Sequence, residues 1–340
     1  MLNVGLIGYG YWGPNLARNF DRRAECRLAQ ISDMRENRRA LAKAAFPHTE
    51  VVDDERILAA PDIDVMVIAT PVFTHFDLAK KALLNGKHVW IEKPMTSNSE
   101  QARELVELAE SKGLTLMVDH TFLFTGAVQK MKELVDSGEL GDLYYYDSVR
   151  INLGLFQHDI NVIWDLAPHD LSIMDYLLGP SVRAVSAQGS DHFKTGFEDV
   201  AYVNVFYDNN LMAHFSLNWL SPVKIRRTIV GGAKKMLVWD DVSQEEKIKI
   251  YNKGMEVTTR EGVYRILATP RVGDMTAPVI SNTEALATEV DYFISCIREK
   301  KRPINDGHAG LRVVSILEAT DQSLREGGKI IELSSRQTRS

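Results

Sequence analysis

The stretch Val4-Gly5-Leu6-Ile7-Gly8-Tyr9-Gly10-Tyr11-Trp12-Gly13-Pro14 decides the fold. It opens on a short, largely apolar run, and Gly8 to Gly13 then spell G-x-G-x-x-G. A strand that runs into such glycines and opens a helix is the first turn of a dinucleotide-binding βαβ unit. One glycine allows the tight turn, one lets backbone approach a pyrophosphate, and one lets helix and strand pack closely. The helix N-terminus then offers amide N–H groups and partial positive charge to phosphates. Pro14 suits a first helical turn, where no N–H is needed. Asp33 stands twenty residues after Gly13, at the end of the next strand candidate. A carboxylate there accepts hydrogen bonds from adenosine ribose hydroxyls and repels a 2′-phosphate, so NAD is expected rather than NADP. Arg35, Arg38 and Arg39 leave the opposite pairing open, since an arginine there can meet a 2′-phosphate.

Outward from this stretch the rhythm continues. Strand candidates Arg27–Ser32, Val65–Ala69, His88–Ile91 and Leu114–Val118 alternate with helix candidates Pro14–Phe20, Glu36–Ala45, His75–Leu84 and Ser99–Ser111. Val65-Met66-Val67-Ile68-Ala69 is apolar throughout, as parallel strands covered on both faces are. The alternation predicts an α/β fold with a doubly wound parallel sheet of Rossmann type over residues 1–120. Past His120 the pattern changes. A helix (Val128–Ser137), a long strand (Leu143–Leu153) and a helix through Asp165–Leu178 precede strand candidates running from Val182 to Tyr251. Short turns such as Asp208-Asn209-Asn210 predict antiparallel pairing. Two helices, Glu284–Glu299 and Ala309–Arg325, follow, and residues 121–340 are expected to form one α+β domain.

A chain of 340 residues suits two domains and buries a core without staples. Its net charge of −6, with acids and bases mixed, offers no basic stripe for nucleic acid. Cys26 and Cys296 are far apart and have no histidine or second cysteine at metal spacing. Two thiols suit a reducing cytosol, and no metal is expected. Met1–Ile7 lacks the features of a signal peptide, and no apolar run is long enough to cross a bilayer, so a cytoplasmic location and no membrane partner are expected.

Two further segments carry chemistry. His88–Ile91 runs into Glu92-Lys93-Pro94, and ligands of such sheets sit beyond the strands' carboxyl ends. Lys93 is placed there to exchange a proton with a substrate hydroxyl; a solvated lysine at a strand end is the plainer alternative. In Trp164-Asp165-Leu166-Ala167-Pro168-His169-Asp170, an N-cap at Asp165 puts Pro168 at the third helical position. Asp165 and His169, four apart, then share a face, and a carboxylate beside an imidazole fixes its tautomer. Asp165 as a plain cap and His169 as a packing residue remain the alternative.

These pieces together resemble the Gfo/Idh/MocA family, over essentially the whole chain. The resemblance rests on the opening glycines, Glu92-Lys93-Pro94 and Asp165…His169. It implies a Rossmann domain followed by an open, mostly antiparallel sheet whose outer face joins homodimers or homotetramers. It also implies an NAD-dependent dehydrogenase acting on a CH–OH group, with Lys93 and His169 handling protons and Asp165 orienting substrate. Gly8, Gly10, Tyr11, Trp12, Gly13, Asp33, Thr70, Pro71, His75, Glu92, Lys93 and His120 are the cofactor-side candidates.

Asn152-Leu153-Gly154 through Asp170, and Trp219 to Arg226, resemble the nucleotide-sugar branch of that family. That branch acts at C3 of UDP-N-acetylglucosamine or its uronate. Lys224 and Arg226, two apart on a strand candidate, point the same way and suit a diphosphate. Arg150 and Asn152 share a face by the same argument and are expected to line the sugar pocket. An inositol or free-sugar dehydrogenase, an NAD-dependent glycoside hydrolase and a non-catalytic NAD-binding regulator are the other readings.

Overall fold

The computed structural model describes residues 1–53, 55–154, 160–252, 254–256, 269–271 and 273–333. Two compact units divide the chain: Met1–Phe124 with Thr283–Glu318, and Thr125–Asn282 with 319–333.

In the first unit β1 (Leu2–Ile7), β2 (Cys26–Ser32), β3 (Glu50–Val52), β4 (Val65–Ile68), β5 (His88–Ile91) and β6 (Leu116–Val118) form a parallel sheet. The strand order is β3-β2-β1-β4-β5-β6. The winding reverses between β1 and β4, and ligands of such sheets bind at that switch point. Helices α1 (Gly13–Asp21), α2 (Glu36–Ala45), α3 (Val72–Leu84) and α4 (Ser99–Lys112) make the crossovers. All four residues of β4 are buried, as layers on both faces require. The Asn98 side chain accepts the Gln101 N–H at 2.9 Å to start α4, and Gly113, at φ +62°, ends it.

Residues Thr283–Glu318, expected with the second domain, pack in this first unit instead. On α7 (Ala285–Glu299), Phe293 meets Phe20 and Trp90 edge to face, with ring centroids 6.5 and 5.4 Å apart. Leu286, Val290 and Ile294 complete the buried stripe. Burying a Phe or Trp removes 150–250 Å² from water, a gross gain of about 4–6 kcal/mol each. A stripe of helical period announces a buried face without saying which sheet covers it. The last helix, α8 (Gly307–Arg325), is counted partly with each unit.

The second unit begins with α5 (Gly126–Asp136), β7 (Leu143–Leu153) and α6 (Val162–Leu178). Strands β8 (Val182–Ser190), β9 (Val200–Tyr207), β10 (Met212–Asn218), β11 (Leu220–Gly232), β12 (Met236–Asp240) and β13 (Ile248–Tyr251) follow. After the short β14 (Gly254–Glu256) and β15 (Thr269–Arg271), which pair with each other, come β16 (Met275–Thr276) and β17 (Ile331–Glu332). Nine of these make one sheet in the order β16-β13-β12-β11-β7-β10-β9-β8-β17. Only β7 and β10 pair in parallel; the other neighbours are antiparallel. Helix α6 covers one face through β7, β9 and β10. The alternation along β9 and β10, with every second residue buried, follows from that one-sided cover.

Candidate active site

The three glycines of the turn after β1 differ in what surrounds them. Gly8 sits at φ +96°, and a Cβ there would come within 2.3 Å of the Ala69 carbonyl oxygen. At Gly13 a Cβ would strike the Gly8 carbonyl oxygen at 2.3 Å. Gly10 differs: the nearest atom to a Cβ would be an Arg35 guanidinium nitrogen at 3.6 Å. The space that Gly10 keeps clear is not filled by packing, which fits a cradle for a pyrophosphate at the α1 N-terminus. Tyr11 and Trp12 stand beside it, edge to face at 5.8 Å, and both are exposed.

Asp33 closes the other side. Its Oδ2 accepts the Tyr9 N–H at 2.8 Å, and its Oδ1 accepts the Arg35 N–H at 2.9 Å. The Arg35 guanidinium then grips both carboxylate oxygens at 3.0 Å. Burial alone would raise this carboxyl's pKa. The Arg35 side chain, the two N–H groups and the Arg35 charge outweigh it and hold the group below its ordinary value. An ionised acid at this position suits ribose hydroxyls. Arg39 donates to the carbonyls of Asp33 and Met34, which fixes the turn.

Lys93 follows β5 and is partly exposed. Glu92 is 8% exposed, and its Oε2 accepts the Lys93 N–H at 3.2 Å. Thr70 and Pro71 follow β4, with Pro71 as the N-cap of α3. His75 does not face a ligand as expected. Its ring is fully buried and spans the carbonyls of Pro94 and Thr70 at 2.9 and 2.8 Å, so it braces the turn after β4 against the turn after β5. His120, just past β6, is 1% exposed, and neither ring nitrogen has a hydrogen-bond partner among the described residues. Burial, then the charge of Lys93, lower its pKa to about 3, so the ring is neutral at ordinary pH.

In the second unit the cap of α6 is Asn161, not Asp165. The Asn161 side chain accepts the N–H groups of Ile163 and Trp164, both at 3.1 Å. Asp165 lies in the first turn, and Pro168 falls inside the helix, where it removes the N–H that would bond the Trp164 carbonyl. The local frame is held by side chains. Trp219 Nε1 donates to Asp165 Oδ2 at 2.9 Å, and Ser172 Oγ donates to the His169 carbonyl at 2.7 Å. Asp165 and His169 are both partly exposed and one helical turn apart.

Arg150 corrects an expectation. Its side chain is 3% exposed, and it binds Asp170 with Nε at 2.6 Å and Nη2 at 3.0 Å. It ties β7 to the residue after His169 rather than lining a sugar pocket. The diphosphate pairing of Lys224 with Arg226 is corrected too. Between Leu220 and Ile225 the β11–β7 register shifts, so Lys224 lies in a bulge where strict alternation does not hold. Arg226 stands opposite Arg150 and meets Asp241 at 3.4 Å. Its pKa is lowered by burial and then by Arg150. Asn152 is partly exposed on β7, and residues 155–159 of the same stretch lie outside the described residues.

Asp119 and Glu289 escaped the sequence reading. Both are buried, and with Glu92 they make a carboxyl cluster in the first unit. A signal existed for Glu289: it is an acid within the apolar stripe Leu286, Val290, Phe293 of α7. Among the described residues no group of histidines, cysteines and acids has the arrangement to hold a metal ion, and none of their helices is long and apolar enough to cross a membrane.

Comparison with known proteins agrees with this architecture. Residues 2–120 match the GFO_IDH_MocA family, described as an oxidoreductase family with an NAD-binding Rossmann fold. Residues 128–238 match the C-terminal domain of the same family. The uncharacterized oxidoreductase YdgJ of Escherichia coli (strain K12) is 32% identical over 73% of this chain and 74% of its own length. The scyllo-inositol 2-dehydrogenase (NAD(+)) of Bacillus subtilis (strain 168) is 25% identical over 89% of this chain and 87% of its own. Among solved structures, UDP-N-acetylglucosamine 3-dehydrogenase GnnA from Acidithiobacillus ferrooxidans superposes with a TM-score of 0.81 at 25% identity. The match covers 96% of this chain and 98% of that one.

Proposed function

The chain belongs to the Gfo/Idh/MocA family of NAD-binding oxidoreductases, and from that premise we propose that it oxidises or re-forms a sugar carbinol at C3 of a nucleotide-activated sugar. UDP-N-acetylglucosamine or its uronate is the substrate class. The observation that carries the cofactor half is the cradle at Gly8, Gly10 and Gly13 with an ionised Asp33 beside it. The substrate half is supported by the likeness to the UDP-N-acetylglucosamine 3-dehydrogenase along nearly the full chain.

NAD, when bound, supplies the hydride acceptor. Gly10 leaves room for its pyrophosphate and Asp33 accepts from its ribose. Lys93 is the amine that takes the proton of the carbinol hydroxyl, so that a C=O bond forms as the C–H bond gives up its hydride to the bound cofactor. His169 is the second proton-handling group. Asp165, held by Trp219, orients the substrate, and Arg150 with Asp170 fixes the helix that carries both. The face of the nine-stranded sheet away from α6 carries exposed Tyr202 and Met212, and is the surface assigned to pairing with a second copy.

A second reading is supported by the inositol dehydrogenases among the relatives. It uses the same proton and hydride chemistry without a nucleotide to hold. Supplying the protein with NAD and following NADH absorbance separates the two. NADH formation with UDP-N-acetylglucosamine or its uronate, and none with scyllo- or myo-inositol, is the expected result. Turnover of the inositols alone would contradict the nucleotide-sugar assignment. Sugar release without NADH accumulation would indicate a hydrolase instead.

A further inference from the structure

Three carboxyl groups without a part in this chemistry meet in the first unit. Glu92 follows β5, Asp119 follows β6, and Glu289 comes from α7 near the far end of the chain. They are 8%, 4% and 0% exposed. A lone buried carboxylate is costly, and several together can persist only if they share protons. Glu289 Oε1 accepts the His120 N–H at 3.1 Å and Asn305 Nδ2 at 2.8 Å. Its Oε2, and Oε1 of Glu92, meet no N–H or hydroxyl donor among the described residues. Both acids nevertheless hydrogen-bond Asp119, which also accepts the N–H and hydroxyl of Thr121. A bond between two carboxyls needs a proton. Asp119 Oδ1 already accepts twice from Thr121, so Glu92 and Glu289 are the groups placed to supply the shared protons.

The cluster is beside reactive groups. The charge of Lys93 acts on both Glu92 and His120. The groups facing Glu289 are Asp119, Glu92 and the backbone of His120, with Lys93 next to Glu92 in the chain. We propose that Glu289 is a positioning residue of the oxidoreductase site. As a shared acid it bonds Asp119, and by gripping the His120 N–H it fixes residues Asp119–Thr121 in the neighbourhood of Lys93. The inference rests on the reading that Lys93 and His120 belong to the cofactor side. A glutamine has the shape and the donors to keep every one of these bonds, but it has no proton to lose.

The test uses the full-length protein with Glu289→Gln and Glu289→Ala, and three readouts that need no substrate. These are NADH affinity by fluorescence across pH, backbone hydrogen exchange at 119–121, and the infrared carbonyl band of protonated carboxyls. Glu289→Ala is expected to weaken NADH binding about tenfold and to speed exchange at 119–121, because it removes the acceptor that the His120 N–H and Asn305 Nδ2 share with the Val118 carbonyl. Glu289→Gln is expected to restore both at neutral pH, to lose part of the protonated-carboxyl band and to flatten the decline of NADH affinity at alkaline pH. If the alanine variant does not fold, the glutamine variant's band and pH response still decide. Wild-type NADH affinity in Glu289→Ala, or an unchanged carboxyl band in Glu289→Gln, would overturn the proposal. A Lys93→Ala protein with full turnover would instead remove the functional reading and leave these three results standing.

Discussion

Next to Lys93 the buried charge is of one sign: Glu92, Asp119 and Glu289. Next to His169 it is of both signs, Arg150 with Asp170, and on the neighbouring strands the partly exposed Arg226 meets Asp241. The first cluster is made tolerable by protons, the second by pairing. The difference teaches what each can withstand. A proton-sharing cluster accepts an amide in place of an acid and responds to pH. An ion-pair cluster fails when one partner is removed.

The largest expected effect breaks the paired cluster. Asp170→Asn leaves Arg150 buried opposite Arg226 without its counter-charge, and about 3–5 kcal/mol of stability is expected to go. A fall in the urea midpoint checks this. The double variant Arg150→Met with Asp170→Leu is expected to recover most of it, since an apolar pair of similar volume needs no counter-charge. Equal stability of Asp170→Asn and wild type would erase the distinction between the clusters.

A smaller effect sharpens the contrast through pH. Burial, then Asp119, raise the carboxyl pKa values of Glu92 and Glu289 well above the ordinary glutamate value. Groups raised in this way give their full stability below the unfolded-chain value and lose it as pH rises towards the folded one. The thermal midpoint of the wild type is therefore expected to fall from mildly acidic to alkaline pH, and less steeply in Glu289→Gln. Parallel curves would show that Glu289 is already ionised.

The smallest effect concerns the frame of α6. Asn161→Ala is expected to cost about 1 kcal/mol by freeing two N–H groups from their cap, and Asn161→Asp no less, because the Asn161 amide also donates to Glu198 at 3.2 Å and Asp321 at 3.1 Å. A loss in turnover larger than this loss in stability would show that the cap also sets the placement of Asp165 and His169.

The parts of the molecule that sequence revealed are those governed by local rules. Gly8, Gly10, Gly13 and Asp33 each answer to one turn or one strand end, and the parallel sheet follows from apolar runs separated by helices. What sequence hid depends on packing partners. The stripe on α7 does not say that Phe293 meets Trp90, so Thr283–Glu318 was expected in the wrong unit. Arg150 alternates correctly on β7, yet alternation does not tell a ligand-facing arginine from one locked to Asp170. Lys224 was read with a strand's period across a bulge. The cap of α6 went to Asn161 because its side chain reaches two N–H groups, a choice between nearby polar residues that spacing alone leaves undecided.

The claim at the centre is that the amine ending strand β5 removes the carbinol proton while hydride leaves for the nicotinamide. The direct measurement is single-turnover formation of NADH, with saturating NAD and the sugar that the absorbance screen selects, for wild type and Lys93→Ala. A slowing of about 10²–10⁴-fold, with a lost pH dependence, is the predicted result. NADH appearing in the alanine variant at the wild-type rate would contradict the account.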